Sequence, residues 1–411
     1  MKSDLDRVMA EKDIDALFVT GPAAHNPAMY YFTGGVHLTQ AGLLKKRGEP
    51  PVLLCWPMER DEAARTGLAT RNAMDYNYVE LVNQAGGDRT KAMVQVYRKL
   101  FEEFGVRGRV ALYGKVELGP AYYAFHALSD VLPDVTIIGE SHEPVITQAA
   151  ATKDAAEIER MRAMGKITTA VVGQVADFIS SQRQRNGAIV KTDGEPLTVG
   201  EIKSNINKWL LERGAENPEG CIFAIGRDSA VPHSAGNPQD VIATGQTIVF
   251  DIFPQEPGGG YFYDFTRTWC VGYAPDEAFA IYQDVLDCYR HVSAAFRAGG
   301  PCRDYQIMAC EFFQARGHKT ILEDSKTESG YVHTLGHGLG LNVHESPVLS
   351  HLETNTDRLD PGVVVTVEPG LYYPEKGIGC RLEDTVWVTP EGKFETLAEY
   401  PMELVLPIRG S

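Results

Sequence analysis

The sequence predicts an α/β domain followed by a larger α+β domain, and three observations predict it. The chain has 411 residues, more than one hydrophobic core usually serves, so two cores are expected. Helical and strand patterns alternate before about Val145, whereas beyond Gly220 strands run together around one long helical stretch. The pattern changes near residues 145–153, which divides the chain into domains over 1–148 and 149–411.

In the first domain the alternation runs through residues 5–11, 15–20, 51–56, 91–104, 110–113, 122–128 and 135–138. Residues 21–35 carry Pro22, Asn26, Pro27 and a glycine pair, which is loop chemistry. The second domain opens with Lys153, Asp154, Glu157 and Glu159 at the start of a helix. Ile158, Met161, Met164, Ile167, Val171 and Val175 step along it by three or four and form one apolar face. Residues 180–195 are polar and read as an exposed loop, before a second helix that ends in Trp209, Leu210 and Leu211. Strands are predicted at 248–253, 262–271, 363–367 and 379–388, with a helix over 276–298 between the second and third.

Composition narrows the function classes. Hydrophobic residues are 44% and charged residues 23% of the chain, as in globular domains. A net charge of −16 opposes binding to nucleic acid or an anionic membrane. No stretch approaches the roughly 20 apolar residues of a membrane helix, and the charged first residues do not read as a secretory signal. Seven scattered cysteines without CxxC spacing indicate reduced thiols and a cytoplasmic location.

Three acids interrupt apolar runs where a buried charge would normally be excluded: Asp251, Glu368 and Glu383. A fourth, Asp264, follows Asp251 by thirteen positions, with the glycine run 258–260 between them. A hairpin would bring the two aspartates to neighbouring points on one sheet. Hard oxygen donors in this number, joined by an imidazole, suit divalent Mn²⁺, Co²⁺, Fe²⁺ or Zn²⁺ and carry too much charge for a single ion. The imidazole comes from a dense run, His333, His337 and His344, with glycines on both sides of His337. Those glycines would let backbone approach a ligand closely.

The order Asp, Asp, His, Glu, Glu resembles that of the pita-bread metallopeptidases, the family of aminopeptidase P, prolidase and methionine aminopeptidase. The resemblance implies that Asp251 chelates one ion, Asp264 and Glu383 bridge two, and His337 and Glu368 complete the second. It implies two divalent ions, Mn²⁺ being the first expectation, a bridging hydroxide as nucleophile, and Glu368 as proton shuttle. His233 and His344 would stabilise the developing oxyanion, and His333 and Arg381 would bind substrate. Tyr30, Tyr31, Phe32, Thr33 and Gly34 are similar to a segment of that family's creatinase-type N-terminal domain, which would account for the first domain. The implied activity is removal of the amino-terminal residue before proline from a peptide substrate, in a homodimer.

Two departures from the family pattern stand out: the longer spacing between the aspartates, which would reshape the rim of the site, and the polar stretch 180–195. HExxH, GxSxG and GxxxxGK[ST] are all absent. The remaining alternatives are a same-fold enzyme of other chemistry, such as a lyase or amide hydrolase, and a metal-free peptide-binding module of the same fold, which five intact ligands disfavour.

Overall fold

The computed structural model describes residues 2–409 and divides into two compact units. The first comprises residues up to Ala150 together with Pro257–Gly260. Its sheet contains β1 (Ala16–Gly21), β2 (Ala41–Lys46), β3 (Val52–Cys55), β4 (Ala69–Asn72), β5 (Gly108–Gly114) and β6 (Val135–Ile138) in the order β4-β3-β2-β1-β5-β6. Only β2 runs against the others. Phe18, buried on β1, meets Tyr97 and Phe101 edge to face, so the helix Arg89–Glu103 covers that side of the sheet.

The loop expected over 21–35 contains a helix, Pro27–Thr33. Proline at its first position needs no hydrogen-bonding N–H and has φ preset for the helix, so the residue read as a breaker is a starter. Residues 257–260 belong to the first unit, where the Gly258 carbonyl accepts a hydrogen bond from the His25 N–H at 2.9 Å.

The second unit spans Ala151–Glu256 and the chain from Tyr261 onward. Asp154 caps the helix Ala155–Ser180 in a reciprocal box with Glu157. Lys153 stays outside that helix and forms a buried pair with Glu345 at 2.9 Å. The stretch 180–195 is not an open loop. It holds a short hairpin of β7 (Arg183–Arg185) and β8 (Ala188–Val190), with Asn186 and Gly187 both at positive φ in the turn and Ile189 buried. Asn-Gly is the favoured pair for a two-residue turn whose twist matches its strands.

Two sheets carry the rest of this unit. One orders β19 (Val405–Leu406), β11 (Phe265–Val271), β10 (Thr247–Ile252) and β9 (Cys221–Ile225). The other orders β13 (Glu345–Val348), β12 (His337–Gly338), β14 (Val364–Val367), β17 (Asp384–Val388) and β18 (Phe394–Thr396). A ribbon of β15 (Gly370–Tyr373) and β16 (Ile378–Arg381) lies beside them. The single strand expected over 379–388 is thus two, broken at Leu382 and Glu383, where Glu383 bridges to Thr266 of β11. The helices Asp276–Ala295 and Cys302–Gln314 pack against the sheets through a core that includes Val285, Val292, Phe313, Val365 and Leu382. All seven cysteines are buried and free. Among the described residues, no helix is long and apolar enough to cross a membrane.

Candidate metal centre

The antiparallel register pairs Asp251 with Thr266 and Ile252 with Phe265, so Asp264 sits one residue before β11 begins. This places both aspartates near the end of the β10–β11 ladder. Glu383 occupies the break between β16 and β17, Glu368 follows β14 directly, and His337 opens β12. These five side chains, with His233, His333, His344 and Arg381, all line one cavity of about 540 Å³ within the second unit.

The donors cluster closely. One ligand atom from each of Asp264, His337 and Glu383 lies within 4.8 Å of the others. His337 Nε2 is 3.4 Å from Glu368 Oε1 and 3.7 Å from Asp264 Oδ2. Its Nδ1 lies 3.0 Å from the Gly338 carbonyl, which can only accept, so the proton sits on Nδ1 and the Nε2 lone pair faces the acids. Asp251 joins through Arg381, whose Nη2 donates to Oδ2 at 2.5 Å, while Asp251 Oδ1 is buried with no partner among the described residues.

Such a cluster is electrostatically incomplete on its own. Burial first, and then repulsion by the neighbouring carboxylates, hold Asp264 and Glu383 well above the usual carboxylate range. Burial also pushes Glu368 up to about 7. Among the described residues, Arg381 is the one Lys or Arg lining the cavity. Buried acids of this kind require added positive charge to remain ionised, and a free Nε2 beside oxygen donors, one of them orphaned, fits divalent cations.

Residues that the sequence did not single out hold the donors in place. Thr266 Oγ1 donates to Glu383 Oε2 at 2.6 Å, and Thr366 Oγ1 accepts from the His337 N–H at 3.0 Å and donates to Glu368 Oε1 at 3.3 Å. Each threonine lies two positions from an acid in strand sequence, the same-face period of a strand, and that spacing is the signal that would have found them. Tyr372 accepts from Arg381 Nη1 at 2.7 Å and donates to His333 Nε2 at 3.0 Å, while His333 Nδ1 donates to the Thr334 carbonyl at 2.7 Å. Both nitrogens of His333 are therefore engaged. Burial first, then the Arg381 charge, push its pKa down to about 3 and keep it neutral.

His233 and His344 are exposed at the cavity, and the His344 ring stands 4.3 Å from that of His337. Partial burial, followed by the neighbouring His337 and His233 rings, holds His344 below the usual histidine range. The glycines beside His337 serve the backbone: a side chain at Gly336 would run into the Thr366 carbonyl, and one at Gly338 into that of Ser346. Apolar lining comes from Ile222, Phe253, Val343 and Val348.

Comparison with known proteins shows the family. The profile of metallopeptidase family M24 matches residues 159–390, and that of the creatinase/prolidase N-terminal domain matches residues 3–148. The chain belongs to metallopeptidase family M24. It is 26% identical over 403 residues to an Xaa-Pro dipeptidase of Pyrococcus furiosus, covering 95% of this chain and 97% of that one. The X-Pro aminopeptidase structure from Thermotoga maritima superposes with a TM-score of 0.74 at 25% identity, covering 97% and 99% of the two chains. An Xaa-Pro dipeptidase structure from Bacillus anthracis shares the fold, with a TM-score of 0.74 at 23% identity and 98% and 99% coverage. The chain is thus an M24 metallopeptidase with the pita-bread fold, a family that uses divalent metal ions.

Proposed function

We propose that this peptidase is a dinuclear exopeptidase that hydrolyses the Xaa-Pro bond at the amino end of peptides. The observation that carries this reading is that Asp251, Asp264, Glu368, Glu383 and His337 line a single cavity, with Arg381 the one Lys or Arg among its lining residues. Four carboxylates against Arg381 leave three negative charges. One divalent ion falls short of that charge, while two exceed it by one, which a single bound anion would balance.

Asp251, Asp264, His337, Glu368 and Glu383 would hold the two ions. When bound, divalent ions supply a water-derived nucleophile at neutral pH and polarise the scissile carbonyl. The chain's own residues do the rest. Glu368, on the cavity lining beside His337 Nε2, is placed to take the proton of the attacking water and return it to the leaving nitrogen. His344 and His233, exposed to the cavity, are placed to hydrogen-bond the carbonyl oxygen as negative charge develops on it. Arg381 fixes Asp251 and, through Tyr372, His333. His333 bounds the substrate pocket with its ring. Action at the amino end and the preference for proline are supported by the relatives' names.

The test is release of alanine from Ala-Pro and from Ala-Pro-Ala, with Mn²⁺ and with chelator. Metal-dependent cleavage of the dipeptide alone assigns dipeptidase activity, and cleavage of the tripeptide assigns aminopeptidase activity. Failure to cut either one in a metal-loaded sample overturns the proline-specific reading. The same reading includes a cytoplasmic homodimer, and sedimentation showing only monomer at micromolar concentration removes that part.

A further inference from the structure

A crevice in the first unit lies apart from the metal centre's residues. It holds about 810 Å³, within the range of small-molecule sites. Its lining includes Thr20 and Gly21 at the end of β1, Trp56 just after β3 and Lys115 just after β5, so it opens at the carboxyl ends of parallel strands. The sheet order reverses there: the chain builds outward from β1 through β4 on one side, then returns to place β5 on the other side of β1. In the strand order, β1 leads on to β2 on one side and β5 to β6 on the other, and open α/β sheets bind ligands at such a switch point.

Two oxygens at this crevice lack partners. Thr20 is 4% exposed, and its hydroxyl makes no hydrogen bond among the described residues. Glu59 Oε2 is likewise buried without a partner, although Oε1 of the same carboxylate accepts from the Thr39 N–H at 2.7 Å and its hydroxyl at 2.5 Å. Both residues line the crevice. Buried polar atoms in native proteins are nearly always satisfied, so two exceptions in one lining call for a donor from outside the chain. Arg89 and Lys115 line the same space, and neither side chain has a partner among the described residues. Trp56, Tyr78 and Phe125 add aromatic walls, with Trp56 and Tyr78 edge to face at 4.8 Å.

We propose that this crevice binds a small zwitterion with an aromatic body, the chemistry of a free aromatic amino acid. The ammonium donates to Glu59 and Thr20, the carboxylate meets Arg89 and Lys115, and the ring lies among Trp56, Tyr78 and Phe125. The assignment is independent of the peptidase reading, since every residue it uses lies in the first unit.

The probe is L-phenylalanine, titrated into the full chain by calorimetry. Beside it run 2-phenylethylamine, which lacks the carboxylate, and 3-phenylpropionate, which lacks the ammonium. L-phenylalanine should bind, with each truncated compound weaker by about tenfold or more, the size of one charge-assisted hydrogen bond. Glu59→Gln keeps an acceptor for Thr39 and should weaken L-phenylalanine and the amine but not the acid. Arg89→Met should do the converse. Thr20→Val removes a hydroxyl with no partner, so it should leave the unfolding midpoint unchanged while weakening L-phenylalanine, which separates lost binding from lost folding. Glu383→Ala should leave the titration as it was. Binding that disappears in Glu383→Ala places the amino acid at the metal centre and overturns the proposal. So do equal affinities for the three compounds, indifference to Glu59→Gln, or no binding at roughly 10 mM, well above ordinary metabolite-site affinities.

Discussion

Replacing Glu368 with glutamine should make the chelated protein more stable at pH 8 while abolishing its activity. Burial raises the Glu368 carboxyl to about 7 from 4.5 for a free glutamate. At about 1.4 kcal/mol per pH unit, keeping it ionised in the metal-free fold costs roughly 3 kcal/mol. The direction follows from proton binding. Between pH 4.5 and about 7 the folded state holds a proton that the unfolded chain has released. The stability linked to Glu368 is therefore fully present below 4.5 and lost as pH rises through 7. Glutamine removes that dependence and still accepts from Thr366 Oγ1, now 3.3 Å from the carboxylate. Urea unfolding of wild type and Glu368→Gln, both with chelator, at pH 5 and pH 8, reads the difference directly. Because both proteins share His333 and His344, whose lowered pKa values act in the opposite sense, the comparison reads Glu368 together with the repulsion it exerts on Asp264 and Glu383. The expected advantage of the variant is roughly 3 kcal/mol at pH 8 and well under half of that at pH 5. A variant no more stable than wild type at pH 8 would refute the view that the acids are held together against their own repulsion.

Three further outcomes follow from the same geometry. Asp264→Ala or Glu383→Ala should lose both metal, measured by elemental analysis of the dialysed protein, and activity, and retention of a full metal complement would remove these residues as shared ligands. His344→Ala should keep its metal and slow turnover by about 10² or more, the usual effect of losing one oxyanion donor; wild-type turnover would leave His344 a structural role. Lys153→Met strands the Glu345 carboxylate, 5% exposed and 2.9 Å from the lysine, and should destabilise by about 3–5 kcal/mol. Adding Glu345→Gln should recover much of that in thermal or urea unfolding, and no recovery would mean that the lysine acts by packing alone.

The candidate metal donors stood out because they violate a rule that sequence can display. Asp251 in β10 and Glu368 at the end of β14 stand in apolar strand sequence, and both line the cavity. Ordinary solvation cannot explain an acid there, so a shared ligand could. The hairpin relation of Asp251 to Asp264 was readable for the same reason, since alternation and a glycine turn fix register. The first unit was less legible. Strand β2 ends in two lysines after Ala-Gly-Leu-Leu and shows no alternation, β4 is the polar Ala-Thr-Arg-Asn, and the helix Pro27–Thr33 opens on a proline, so none of the three displays a period. At β7–β8 the sequence did hold the answer in Asn186 and Gly187, but the surrounding polar residues masked it, because a hairpin exposed on one face needs little apolar pattern.

What sequence could not supply is the second layer around the donors, and Tyr372 shows why. Its hydroxyl joins Arg381, nine positions away, to His333, thirty-nine positions away, and neither spacing belongs to any local period. The contact exists because β15 and β16 pair Gly370 with Arg381 and Tyr372 with Gly379, and a side chain on Gly370 would strike the Tyr372 hydroxyl. A buried guanidinium is held charged by its neighbours, and Arg381 has Asp251 on one nitrogen and the tyrosine hydroxyl on another. The tyrosine can accept from arginine only if its own proton goes elsewhere. The neutral His333 Nε2 receives it, and His333 is kept neutral by burial and by the charge of Arg381 itself. Each member thus fixes the protonation of the next, and the chain ends at Asp251, whose second oxygen is left unpartnered beside the donor cluster. The position of that oxygen is set by residues whose relation to it is visible only once the strands are paired.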